Sequence, residues 1–211
     1  MADPAMPLQN RVTPTGEIIA TPARGTMMGN RGGAFHSAAR TLTHRRWKTK
    51  AWICCVLQFK GRHRAVMMPN RYTELFFLDE ATALAAGHRP CFECRRADAV
   101  RFALAWAAAA GHGKRPSAPE MDKMLHPERT GKLSGTTAMI GELPNGSFVA
   151  WQGQPHLVLA GRLRPWTVEG YGPAFNVGQD ERLDVLTPPS VVAALSAGYW
   201  PMVHTSAQTR W

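Results

Sequence analysis

Four cysteines stand in two close pairs, Cys54-Cys55 and Cys91-Phe92-Glu93-Cys94. Two thiolates three positions apart can both ligate one tetrahedral ion at about 2.3 Å, the remaining ligands arriving from elsewhere in the chain. Zinc is the metal this pattern favours, with Cys54, Cys55, Cys91 and Cys94 as its candidate ligands. Three other readings of the pairs stay open: reduced, buried cysteines, a purely structural zinc, or a redox dithiol, although the strand, C-x-x-C and helix of a βαβ unit that a redox motif needs is missing. A disulfide framework is not expected in a chain whose first ten residues, MADPAMPLQN, lack the charged and apolar regions of an export signal.

A second constellation is Asp122 and His126, four apart and therefore on one face of a helix. A carboxylate that orients an imidazole is a usable general-base or metal-ligand pair. Glu74, Asp79, Glu80 and Glu93 gather near the cysteines in sequence and could bind a hydrolytic metal, while capping and ion pairing with arginines account for most of them. Gly29-Asn30-Arg31-Gly32-Gly33 lacks the Lys-Ser/Thr of a P-loop and has no nucleotide role on that ground, though its amides and Arg31 could touch phosphates.

The elements that must position these groups can be sketched. Residues 1–50, punctuated by prolines and glycines with only GEIIA (16–20) strand-like, read as an irregular basic arm. AWICCVLQF (51–59), the turn KGRHR and residues 65–68 predict a β-hairpin with a basic tip, on which Cys54 and Cys55 face opposite ways. Phe76 and Phe77 belong to another short strand. DEATALAA predicts a helix capped by Asp79 and stopped by Gly87, and the Cys91–Cys94 knuckle runs into a second helix over 95–110. Helix N-termini stabilise thiolates. A short helix over 120–128, broken near Pro127, precedes a β-rich last third that includes a helix over 188–197, with Trp151, Trp166 and Trp200 expected in its core.

The stretch FFLDEATALAAGHRPCFECRR (76–96) resembles the end of the N-terminal zinc domain of the Ada methylphosphotriester repair family, through Ala85-Ala86-Gly87, Arg89-Pro90-Cys91 and Cys94. The likeness covers about twenty residues, with Trp52-Ile53-Cys54 standing where that family has a strand ending in a cysteine. It implies an Ada-like hairpin and helix pair around zinc, in a DNA-repair setting, and an upstream thiolate, Cys54, as the nucleophile of any reaction there. The family has two upstream cysteines four apart, whereas here they are adjacent, so the fourth ligand falls to His63, His88 or a carboxylate.

Charge adds an independent indication. The chain of 211 residues carries a formal charge of +10, and residues 1–64 alone hold eleven Lys/Arg against two Asp/Glu. A basic excess confined to one part of a molecule attracts polyanions and weakens with salt. His44-Arg45-Arg46-Trp47-Lys48-Thr49-Lys50 interleaves cations with an indole, a pattern suited to phosphate contact and base stacking. Arg45, Arg46, Trp47, Lys48, Lys50, Arg62, Arg64, Arg95 and Arg96 are the nucleic-acid-binding candidates, with DNA favoured over RNA.

The longest uncharged apolar run, 102–111, is far too short to span a bilayer, which predicts a cytoplasmic protein without a membrane partner. The sequence therefore predicts an α+β protein with an arm (1–50), an Ada-like zinc-knuckle core (51–132) and a small β-rich C-terminal subdomain (133–211). Its expected function is zinc-dependent nucleic-acid binding. The rival expectations are a metal-dependent hydrolase or nuclease using Asp122 and His126, and a structural or regulatory zinc protein with an acidic partner.

Overall fold

The computed structural model describes residues 6–62, 65–111, 113–131 and 136–208. Helices and sheets are both present, as the α+β class requires. The first sheet holds β1 (Gln9–Val12), β2 (Ile18–Ala20), β3 (Met27–Arg31), β4 (Trp52–Val56), β5 (Leu75–Phe77) and β6 (Arg89–Pro90), in the order β2-β1-β5-β3-β4-β6. Three of these strands come from the first 50 residues, so the arm expected to be irregular adds β1 and β3 to the one short strand foreseen at 16–20, while residues 32–50 carry no strand. Its few apolar residues suffice because Val12, Ile18 and Met27 are each buried, while the partner strand β5 is supplied from later in the chain.

The expected hairpin over 51–68 is also corrected. Strand β4 pairs antiparallel with β3, from Arg31↔Trp52 to Met27↔Val56, and parallel with β6. Among the described residues between 57 and 68 there is no strand, and Lys60, Gly61 and Met67 all have positive φ, which suits turns and breaks a ladder.

Helix α1 (Glu80–Ala85) sits where the layers meet, and all six of its residues are buried. Asp79 caps it by accepting from the Thr82 amide at 2.8 Å, and Gly87, with φ of 78°, turns the chain out of it. Its alanines let neighbours approach closely on several sides. Ala83 packs on the first sheet with Leu75 and Phe77, whereas Ala81 and Ala85 pack on Phe148 and Leu157 of the second. Leu84 joins the cluster of α2 (Arg96–Ala109), α3 (Ala118–Arg129) and α4 (Pro189–Ser196), whose members include Phe102, Leu125 and Leu195. Helix α3 opens on a Ser117–Glu120 capping box and continues through Pro127 instead of breaking there.

The second sheet, β7 (Thr137–Met139), β8 (Phe148–Trp151), β9 (Gln154–Leu159), β10 (Arg162–Thr167), β11 (Gly170–Tyr171) and β12 (Arg182–Val185), has the order β11-β10-β9-β8-β12-β7. The two-residue turns Gln152-Gly153 and Ala160-Gly161 place both residues at positive φ, the geometry that matches the twist of a tight hairpin. Trp200, expected in a core, is 64% exposed, while Trp166 donates its indole N–H to Thr82 at 3.1 Å. No helix among the described residues is long and apolar enough to cross a membrane.

Buried ion pairs lock the helices to the sheet. Arg89 of β6 forms a two-pronged fork with Asp122 of α3, Nε to Oδ1 at 3.0 Å and Nη2 to Oδ2 at 2.7 Å. Arg95 pairs with Glu80 of α1 and with Asp98, both at 2.8 Å. Removing one partner of such a pair strands a charge away from water. Asp122→Ala should therefore destabilise the fold by about 3–5 kcal/mol, measured by denaturant unfolding, and a loss below about 1 kcal/mol would show that the fork is an incidental contact.

Candidate metal centre

Strand alternation decides what the adjacent cysteines can do. On β4, Trp52 and Cys54 face the buried side, at 3% and 0% exposure, so Ile53 and Cys55 face the other way. Strand β6 runs parallel beside β4, with Cys54 opposite Pro90, and the Cys91 amide donates to the Cys54 carbonyl at 2.9 Å. The chain then turns: the Arg95 amide donates to the Cys91 carbonyl at 3.0 Å, and α2 begins at Arg96. This turn carries Cys94 back toward Cys91.

The sulfur atoms of Cys55, Cys91 and Cys94 consequently lie within 4.8 Å of one another. Thiolates on one tetrahedral ion with 2.3 Å bonds lie about 3.8 Å apart, a spacing inside that limit. They could hold a metal ion together. Their site lies in an open cleft of about 530 Å³, walled by Met28 and Asn30 of β3, Phe76 of β5, Phe59, Glu74 and Arg62.

The thiols already organise around one another. Hydrogen bonds from Cys55 and Cys94, and from the amides of Glu93 and Cys94, hold the Cys91 thiol well below the ordinary thiol range. Cys55, which donates a hydrogen bond to Cys91 and is largely buried, keeps its proton and is pushed up. The Glu93 amide lies 3.4 Å from the Cys91 sulfur, as amides around a ligating thiolate do. Donor type, spacing and outer-shell hydrogen bonds all suit a soft divalent cation.

Several expected site residues are placed elsewhere. Cys54, read from the sequence as both ligand and nucleophile, belongs to the core beside Leu75 and Phe77, and burial pushes its thiol up, against reactivity. Asp122 is committed to the fork with Arg89, while the His126 ring lies edge-on to Trp47, centroids 5.7 Å apart, so Asp122 is not a carboxylate waiting to orient an imidazole. Both stand outside the cysteine cleft. Arg95 is buried between Glu80 and Asp98 and offers no surface to a phosphate. His88, a candidate fourth ligand, is wholly buried on the opposite face of the sheet beside Phe77 and Trp52. His63 and Arg64 lie outside the described residues.

The acidic residues near the cysteines divide their labour as capping and pairing predict. Asp79 caps α1 and accepts from Tyr171, Glu80 holds Arg95 and Tyr199, and Glu93 pairs with Arg62 at 3.0 Å. Arg45, Arg46, Lys48 and Lys50 lie exposed on the long connection from β3 to β4, with Trp47 39% exposed among them, and Arg96 is exposed at the start of α2. Sequence reading missed the contribution of β3 to the cleft, because MMGNR is too short for its alternation to stand out.

No protein-family model, curated protein or solved structure matches this chain. The arrangement of thiols generates its own test. Purified protein should contain about one equivalent of zinc, lost in Cys55→Ser, Cys91→Ser and Cys94→Ser and kept in Cys54→Ser. Because ligands must shed protons to bind, zinc affinity measured against a competing chelator should fall as pH is lowered. Retention of metal in Cys55→Ser with loss in Cys54→Ser would overturn the assignment of the strand faces.

Proposed function

We propose that this is a zinc-thiolate protein that binds nucleic acid through its basic side, with Cys55, Cys91 and Cys94 as the protein ligands of the ion. The observation that carries the reading is the meeting of three thiols, one from β4 and two from the turn between β6 and α2, on one open cleft. Bound zinc keeps thiolates deprotonated at neutral pH. The residues of the chain set their direction, supply amide hydrogen bonds to the Cys91 sulfur and leave the cleft side accessible. Reduced cysteines throughout suit a cytoplasmic setting.

Nucleic acid is the partner that the charge distribution favours. Arg45, Arg46, Lys48 and Lys50 are exposed in one loop beside a half-exposed indole, and Arg96 is exposed elsewhere. Such a surface engages a phosphate backbone by counter-ion release without reading bases. DNA, in a damage or repair context, is the finer reading supported by the likeness of residues 76–96 to the Ada zinc domain.

The test is affinity for duplex DNA, single-stranded DNA and RNA as a function of salt. The triple variant Arg45→Ala, Lys48→Ala, Lys50→Ala should bind more weakly and show a shallower dependence of log K on log salt, by about 0.9 on duplex DNA for each phosphate that the variant no longer neutralises. Binding that is absent from all three polymers, or a slope the triple variant leaves unchanged, would remove nucleic acid as the partner while leaving the zinc assignment to its own experiment.

A further inference from the structure

The face of the first sheet turned away from the cysteines carries a second concentration of charge. Arg31, the last residue of β3, is paired in register with Trp52 and is only 2% exposed. Its guanidinium donates to the Gly16 carbonyl at 2.9 Å, the Arg46 carbonyl at 3.4 Å and Nε2 of His88 at 3.3 Å. Every acceptor is neutral. Among the described residues no carboxylate is ion-paired with it, whereas the other two buried arginines, Arg89 and Arg95, each hold an acid within 2.8 Å.

A second guanidinium is brought to the same ring. Arg31 lies 4.0 Å and Arg129 4.2 Å from the centre of the Trp52 indole. Arg129 donates to the carbonyls of Gly87, at 2.7 Å, and Lys50, and its Nε is buried without a hydrogen bond. A Cβ at residue 87 would come within 2.5 Å of the Arg129 side chain, so the glycine there gives that arginine its seat. The carboxylates that favour Arg129 from a distance are engaged elsewhere, Asp122 by Arg89 and Glu128 by Ser190. Burial first, then Arg129 and Arg46, lowers the affinity of Arg31 for its proton to about 9, which still leaves it charged at neutral pH.

These cations border a cavity of about 320 Å³ whose lining includes Arg31, Arg46, Arg129, Trp47, Trp52 and Glu17. That volume is at the lower end of the range for small-molecule sites, about 300–1,000 Å³. A buried cation with only neutral acceptors is costly, and an oxyanion is the ligand that would offset the cost with charge-assisted hydrogen bonds. The half-exposed indole of Trp47 supplies a flat apolar surface beside it.

We infer that this pocket is a receptor for a phosphate ester bearing an aromatic base, with the phosphate among Arg31, Arg46 and Arg129 and the base against Trp47. The ligand is either a free mononucleotide or the phosphorylated end of a nucleic-acid chain. The inference stands apart from the zinc cleft, and it differs from binding by the exposed loop in concerning a small anion held by Arg31 and Arg129, with Arg46 and Trp47 the residues common to both. Glu17 at the pocket wall opposes the anion and limits its affinity.

Tryptophan fluorescence and thermal melting of the full chain are to be followed against inorganic phosphate, AMP, adenosine, and a short oligonucleotide with and without a 5′-phosphate. Phosphate and AMP should raise the melting temperature and AMP should quench fluorescence, with adenosine inert. Arg46→Ala, a surface change, should weaken AMP at least about tenfold, Glu17→Gln should tighten it, and Trp47→Ala should reduce AMP to the affinity of inorganic phosphate. Tighter binding of the 5′-phosphorylated oligonucleotide than of AMP assigns the site to a chain end, and the reverse order assigns it to a free nucleotide. No response to phosphate or AMP, an equal response to adenosine, or affinities unmoved by both Arg46→Ala and Glu17→Gln would overturn the inference. Failure of polymer binding with AMP binding intact would affect only the nucleic-acid reading.

Discussion

The two-residue repeat of strand β4 is the constraint on which both sites of this protein depend. Successive side chains on a strand point to opposite faces, and β4 has neighbours on both edges, β3 and β6, that fix its register. Trp52 and Cys54 are therefore inward and Ile53 and Cys55 outward as one decision. A slip of one residue would exchange all four. It would bring Cys54 to the knuckle and bury Cys55, and it would also take the indole away from Arg31 and Arg129.

What holds that register is the packing behind it. Helix α1 presents alanines to both sheets and so can lie closer to each than a helix of larger residues could, while its acidic start is satisfied by hydrogen bonds inside the protein. Asp79 takes hydrogen bonds from Tyr171 and the His204 amide, and Glu80 takes them from Tyr199 and the Met202 amide as well as Arg95. The last segment of the chain is thereby tied to the first turn of α1. Arg95 in turn stands next to Cys94, so the ion pair that anchors α2 also fixes where the knuckle ends.

The knuckle itself was legible, since Cys91 and Cys94 are three apart in any conformation that turns into a helix, and the opposed faces of Cys54 and Cys55 follow from strand geometry alone. Which of the two meets the knuckle was not legible. That choice depends on which face α1 covers, a tertiary fact. Strands β1 and β3 of the arm were illegible for a related reason: Arg11 pairs with Phe76 and Met27 with Phe77, partners some fifty or more residues away, and such ladders leave no local apolar pattern. Arg95 and Arg96 look identical in sequence, yet one is capped by Glu80 from another helix and the other is bare. Asp122 and His126 do share a helix, but the carboxylate answers to Arg89, thirty-three residues upstream.

The two faces of β4 also differ in how they treat charge, and the difference is physical. On the cysteine side the developing negative charge of thiolates is met by amide hydrogen bonds and neighbouring thiols, so the site can release its thiol protons to solvent when a cation takes their place. On the Trp52 side positive charge is held by carbonyls, an imidazole that burial keeps neutral, and the face of an indole, none of which carries a full opposite charge. The rest of the interior shows that this chain can match a buried arginine with an acid, as Arg89 and Arg95 demonstrate. A guanidinium left with dipoles alone therefore belongs to a different arrangement from those structural pairs: the sheet offers a cation-seeking face and an anion-seeking face separated by one strand's thickness, both set by the same register.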